Sequence, residues 1–278
     1  MKAFMSIDVE DWFHTANFQN ILTREEWEHQ TTRVEHNTHK ILDIFDTVGV
    51  KSTFFVLGWV AKKYPLLVPE IAKRGHEVAS HGTHHELVYK MAPEDFRDDI
   101  RYSKKILEEQ SGNEVLGYRA PNFSITDQAI DILQEEGFRY DSSVFPTVFH
   151  DRYGTLSLYE IQTGGYYEIK KSFFEFPLSC VKVFGKNLPW SGGAYFRLIP
   201  FHLFNYGFKK IVEKEGYFNF YLHPWEIDPF VKDNGLLNGY NKFRQTVNLS
   251  STEKKLRKLV NQFEFQSMAD LLEANQEK

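Results

Sequence analysis

Apolar positions along this chain follow two alternating periods, and the switch between them recurs. Ala3 to Asp8 reads as a short buried strand. From Thr31 to Val48 the apolar residues Val34, Ile41, Leu42, Phe45 and Val48 share one helical face, and Gly49 marks the stop. Ser52–Leu57 is again strand-like, and Pro69 to Gly75 encloses a short helix through Ile71 and Ala72. Val78-Ala79-Ser80 is the next strand. Pro93 opens a longer helix carrying Phe96, Ile100, Ser103 and Leu107 and ending near Gly112. Val115–Tyr118 is then a strand, Thr126 caps a helix running through Ile130 and Leu133 to Gly137, and Tyr140-Asp141-Ser142-Ser143 holds a fifth strand and its end. Strand and helix alternate five times, which predicts an α/β fold built on a parallel sheet or barrel.

Between Phe145 and Pro200 the periodicity breaks. Tyr166–Ile169 and Phe173–Phe176 alternate like strands among the turn markers Gly164-Gly165, Pro177 and Gly192-Gly193. The region from about 145 to 200 is therefore expected to be a β-rich insertion over one end of the barrel. A helix over Phe201–Lys214 and a β-prone run, Tyr217–Leu222, return to the earlier pattern. Two helices, around Leu256–Phe263 and Met268–Leu272, are expected to close the chain between about 250 and 276. With no repeat, linker or low-complexity tract in view, residues 1–278 read as a single domain.

Polar chemistry collects at the predicted strand ends. Asp8, Glu10 and Asp11 crowd the first, His81, His84 and His85 the third, Arg119 the fourth, Asp141 the fifth, and His223 the last. A parallel barrel brings strand C-termini to one mouth, so residues far apart in sequence can form one cluster there. His81 and His85 can turn toward a common point if the chain leaves its strand in a tight turn at Gly82. Three carboxylates within four residues repel one another unless a cation or solvent intervenes.

Composition narrows the field. The 278 residues are 42% hydrophobic and 26% charged, as in ordinary globular proteins, and the net charge of −5, with no Lys/Arg stripe beyond short runs such as Lys254–Lys258, does not suggest a nucleic-acid partner. Cys180 is the lone cysteine, so a metal would be held by His and carboxylate. No apolar run is long enough for a membrane span and no export signal is apparent, which makes a cytoplasmic location, or a peripheral one on the inner membrane face, the expectation. Aromatic residues make up 16%; Trp190, Tyr195 and Trp225 suit sugar stacking or core packing equally.

Five ordered segments resemble the polysaccharide deacetylases, the carbohydrate esterase group with nodulation-type deacetylase homology. They are Ser6-Ile7-Asp8-Val9-Glu10-Asp11, His81-Gly82-Thr83-His84-His85, Arg119-Ala120-Pro121-Asn122, Tyr140-Asp141-Ser142-Ser143 and Tyr221-Leu222-His223-Pro224. Gly192–Leu198 and Leu222–Asp228 further resemble a subgroup found in bacterial exopolysaccharide loci. The resemblance implies a deformed (β/α) barrel of about seven parallel strands and one divalent metal, most often Zn²⁺. It makes His81 and His85 ligands, Asp8 the general base oriented by Arg119, His223 the general acid, and Asp141 the group that tunes His223. It also implies an oxyanion donor in the Asn122 backbone N–H. The carboxylate ligand is left between Glu10 and Asp11, because Val9 interrupts the usual adjacent pair of aspartates. Gly82 stands where a hydroxyl residue is common.

The resemblance thus implies a metal-dependent hydrolase of carbon–nitrogen bonds that removes an N-acetyl or similar acyl group from an amino sugar of a polysaccharide or glycan precursor. Two alternatives stand beside it. One is a small-amide or ureide hydrolase of the allantoinase-like type, which the spaced first motif also resembles. The other is a non-catalytic glycan-binding barrel.

Overall fold

A computed structural model describes residues 2–147, 153–157, 165–231 and 235–276; parts of the predicted insertion, 148–152 and 158–164, lie outside the described residues. Ten strands are present: β1 (Lys2–Val9), β2 (Thr53–Val56), β3 (Glu77–Ser80), β4 (Gly117–Tyr118), β5 (Tyr140–Asp141), β6 (Tyr167–Lys170), β7 (Phe173–Glu175), β8 (Cys180–Val183), β9 (Lys186–Pro189) and β10 (Tyr217–Leu222). Eight of them form one sheet in the order β10-β1-β2-β3-β4-β5-β7-β6, and every neighbouring pair is parallel except β7-β6. Seven strands are thus parallel, as expected. The seventh, β7, comes from within the stretch read as an insertion, which contributes to the barrel wall as well as covering its end.

The sheet does not close by a ladder. Across the gap between β10 and the residues after β7, Asn219 Nδ2 donates to the carbonyls of Phe176 (2.9 Å) and Pro177 (3.3 Å), and the Tyr217 hydroxyl donates to the Pro177 carbonyl at 2.8 Å. A buried amide replaces a missing strand pairing, so the barrel is deformed on this side.

Burial follows the pattern of the sequence. β2 and β10 are buried along their whole lengths, which accounts for their mostly apolar and aromatic runs, broken only by Thr53 and Asn219. The helices behave as surface-packed amphipaths: Pro93–Ser111 buries Phe96, Ile100, Ser103 and Leu107, while Asp127–Glu135 starts where the Thr126 side chain accepts the Ala129 N–H. Among the described residues, no helix is long and apolar enough to cross a membrane.

Register places the site. Ile7 lies opposite Leu222, so the next residues, Asp8 and His223, emerge side by side. Ser80 lies opposite Tyr118 and Tyr118 opposite Asp141, so His81, Arg119 and Ser142 emerge in sequence around the same end. Gly192 bridges to Tyr221 of β10, and a Cβ at position 192 would fall 1.9 Å from the Tyr221 carbonyl oxygen. Only glycine permits that approach, which seats the following helix, Gly193–Leu198, beside His223.

Candidate active site

At the barrel mouth a cavity of about 770 Å³ has Asp8, Glu10, His81, His85 and His223 among its lining residues. The Glu10, His81 and His85 donors lie within 4.8 Å of one another, all buried. His85 Nε2 is 2.6 Å and His81 Nε2 3.9 Å from Glu10 Oε2, an oxygen that is buried and has no hydrogen-bond partner. His81 Nδ1 lies 2.8 Å from the Arg119 carbonyl; donating there, it keeps Nε2 as the lone-pair nitrogen facing Glu10. Burial, against the pull of Asp8 and Glu10, lowers the His81 pKa to about 4, so the ring is neutral and ready to ligate. An unpartnered carboxylate oxygen facing two imidazoles fits a divalent cation with nitrogen and oxygen ligands.

The histidine loop is held from outside. Gly82 has φ +72°, and a Cβ there would lie 2.9 Å from Asp99 Oδ2. That same oxygen accepts the Thr83 N–H at 2.9 Å, while the Thr83 hydroxyl donates to the Asp99 carbonyl at 2.6 Å. His85 itself has φ +56°, an uncommon conformation for a non-glycine residue, found at the residue whose ring faces Glu10.

Asp11 does not join this cluster, which corrects its place as an alternative ligand. Its Oδ1 accepts the Trp12 N–H (2.9 Å), and its Oδ2 accepts those of Arg33 (2.6 Å) and Val34 (2.9 Å) at the start of the Val34–Asp46 helix. Burial raises its pKa to about 6 against those hydrogen bonds, and the carboxylate anchors the helix N-terminus.

Asp8 is gripped by Arg119, whose Nη1 donates to Asp8 Oδ1 at 2.7 Å and to Ser6 Oγ at 2.7 Å. Nε and Nη2 of the same guanidinium bond the Ser142 carbonyl and hydroxyl, and the group lies 4.1 Å from the centre of the Phe55 ring. Fully buried and bonded at each of its three nitrogens, it fixes one carboxylate oxygen of Asp8 and leaves Oδ2 toward His223, 3.9 Å from Nε2.

His223 has a different partner from the expected one. Its Nδ1 is 2.7 Å from Glu226 Oε1, and Glu226 Oε2 accepts from Arg197 Nε at 2.7 Å. Burial opposes charge on the ring, but Glu226, Glu10 and Asp8 outweigh it and raise the pKa to about 9. Asp141, expected to tune His223, instead accepts from the Ser143 N–H and hydroxyl at 2.9 and 2.7 Å and stands opposite Glu175 in the ladder. Alternation along the strand gives Arg119 to Ser142 and turns Asp141 to Glu175. Burial and the Asp141 charge push the Glu175 carboxyl well above its usual range.

Three other residues carried no signal in the sequence reading. Arg197 and Glu226 lay within stretches quoted only for a finer likeness. His14 is buried among Trp27 and Trp59 with its ring 6.4 Å from that of His85. A helix at Gly239–Thr246, which the apolar pattern did not predict, supplies Tyr240, Arg244 and Gln245 to the cavity wall. Asn122, with φ +51°, lines the cavity as well.

A parallel α/β barrel with a buried Glu/His/His cluster flanked by a carboxylate and a histidine is the class that fold and site define. Residues 18–140 match the family model for polysaccharide deacetylases, and residues 142–273 match a domain of unknown function, DUF3473. Over residues 18–140 the chain carries a polysaccharide deacetylase-type domain. A peptidoglycan-N-acetylglucosamine deacetylase of Bacillus cereus is 33% identical over 101 residues, 36% of this chain and 37% of that protein. The chain thus spans about a third of the length of the first curated relatives it matches. Among solved structures, a polysaccharide deacetylase-type protein of Mycobacterium smegmatis has a TM-score of 0.63 at 18% identity, over 98% of this chain and 89% of the other. An allantoinase has a TM-score of 0.61 at 14% identity, with the same coverage. Both share the fold, and the fold alone does not choose between their substrates.

Proposed function

We propose that this protein is a metal-dependent hydrolase that removes an N-acetyl or similar acyl group from an amino sugar within a glycan or glycan precursor. The observation that carries the reading is the buried Glu10/His81/His85 cluster with Asp8 and His223 on the same cavity wall, each held by a different charged partner. We also propose that the two matched segments form one catalytic unit, since Arg119 of the first bonds Ser142 of the second and Tyr140 of the first pairs with Phe174 of the second.

Glu10, His81 and His85 would hold the cation; two imidazoles and a carboxylate suit zinc. Bound there, it would supply Lewis acidity toward the acyl carbonyl and toward water. Asp8, fixed by Arg119, takes the proton of the attacking water as the water oxygen bonds to the acyl carbon. The Asn122 backbone N–H stabilises the carbonyl oxygen as it gains negative charge. His223, charged and anchored through Nδ1, donates its Nε2 proton to the sugar nitrogen as the carbon–nitrogen bond breaks. Acetate and a free amine leave, so atoms and protons balance.

The cavity favours a sugar over a small ureide. Its volume of about 770 Å³ and the lining rings of Trp190, Tyr195, Trp225 and Tyr240 suit an amphipathic pyranose. A non-catalytic glycan-binding role has no use for both an anchored base and an anchored acid. The test is acetate release from N-acetylglucosamine oligomers against allantoin as the competing substrate, with and without chelator. Turnover of allantoin alone, or full acetate release by a His81→Ala/His85→Ala variant, overturns the reading.

A further inference from the structure

The charges around the cavity do not all cancel internally. Asp8 is matched by Arg119, and Glu226 by Arg197 and His223. Arg197 is engaged mainly with the protein: besides Glu226, its Nη1 bonds the carbonyls of Gln245 (3.2 Å) and Val247 (2.9 Å) and its Nη2 that of Arg244 (2.8 Å). Those bonds pin the end of the Gly239–Thr246 helix to the same carboxylate that anchors His223. Gln245 ties that helix to the loop after Glu10, accepting from Asn17 Nδ2 at 2.8 Å and donating to the Trp12 carbonyl at 3.2 Å.

Arg244 stands on this pinned backbone. Its side chain lines the cavity, lies 5.6 Å from the centre of the Tyr240 ring, and has no acidic partner within 4 Å among the described residues. Tyr195, also on the cavity wall, lies close enough to feel its charge. A guanidinium held in a concave wall beside two tyrosines, with the Asp8 and Glu226 carboxylates matched by other cations, is a ready-made seat for an anionic group on a sugar.

We infer that Arg244, with Tyr195 and Tyr240, forms a substrate subsite for an anionic substituent, a phosphate or a carboxylate, carried by the N-acylated amino sugar. The inference rests on the deacetylase reading for the sugar and adds the charge. The subsite binds and positions; it takes no part in proton transfer. Its substrate class is acidic aminoglycans or phosphate-linked amino sugars, rather than neutral homopolymers.

The test is calorimetric binding to the metal-loaded full chain at physiological salt. The probes are N-acetylglucosamine, N-acetylglucosamine 1-phosphate and the uronic acid of N-acetylglucosamine. One charge-assisted contact predicts that the phosphate or the carboxylate sugar binds about ten- to hundred-fold tighter than the neutral one. Whichever shows the preference identifies the anion. Arg244→Gln collapses the anionic-to-neutral affinity ratio, and Arg244→Lys retains most of it. Equal affinity for all three probes, or a preference that survives in Arg244→Gln because the cation alone captures the anion, overturns the inference. Binding is read without turnover, so failure to release acetate from any sugar would remove the deacetylase reading while leaving the affinity ratio to decide this one.

Discussion

Glu226 holds His223 from behind: its Oε1 is 2.7 Å from His223 Nδ1, while its Oε2 accepts from Arg197 Nε at the same distance. The carboxylate therefore directs His223 Nε2 to the cavity and stabilises the imidazolium. The protonated form is the one that can donate, and it is lost as pH rises through the folded pKa, raised here to about 9. The alkaline limb of kcat/KM is thus expected to lie above the ordinary histidine range. Glu226→Gln removes one of the raising charges and shifts that limb down by about one pH unit or more. An Asp141→Asn variant moves it far less, and the reverse order would contradict the assignment.

Neighbouring acids should behave in opposite ways. Glu10→Ala removes an oxygen from the donor cluster, and elemental analysis is expected to show loss of bound metal. Asp11→Ala keeps the metal but strands three backbone N–H groups, costing about 3 kcal/mol of unfolding free energy in urea titration. Metal loss in the Asp11 variant with stable folding would exchange their roles.

Gly82→Ala forces a Cβ against Asp99 Oδ2 at a left-handed backbone position. The loop that presents His81 and His85 must shift, and metal affinity is expected to fall about 10- to 100-fold, as for other outer supports of metal ligands. Competition with a fluorescent chelator reads this directly; unchanged affinity would show that the loop is set by other contacts.

Removing the metal leaves Glu10 buried with its Oε2 facing two imidazoles. Chelation should abolish acetate release and lower the thermal midpoint, and added zinc should restore both. At a free concentration 1,000-fold above Kd the stabilisation is about 4 kcal/mol. A midpoint indifferent to metal would mean that no ion binds the folded state at this cluster.

Much was settled within short windows of sequence. Alternating periods located β1, β2, β3 and β10, Pro93 and Thr126 marked helix starts, and the ordered motifs named the side chains that the structure brings to one mouth. Such signals are local, because strand and helix periods and turn glycines depend on near neighbours in the chain. The Gly239–Thr246 helix escaped this reading: of its residues only Gln245 is buried, so no apolar face announces it.

Partner choice was decided by tertiary structure. Asp11 and Glu10 differ by one position, yet one meets three backbone N–H groups of residues 12, 33 and 34 and the other meets two histidines. Asp141 and Glu226 both stand in or beside the ordered motifs, but strand alternation gives Asp141 to Glu175, while the turn after β10 gives Glu226 to His223. A carboxylate's role follows from the donors packed around it. Those donors come from distant segments whose meeting depends on sheet register and burial, so composition and spacing placed these acids near the mouth and only the folded chain assigned their work.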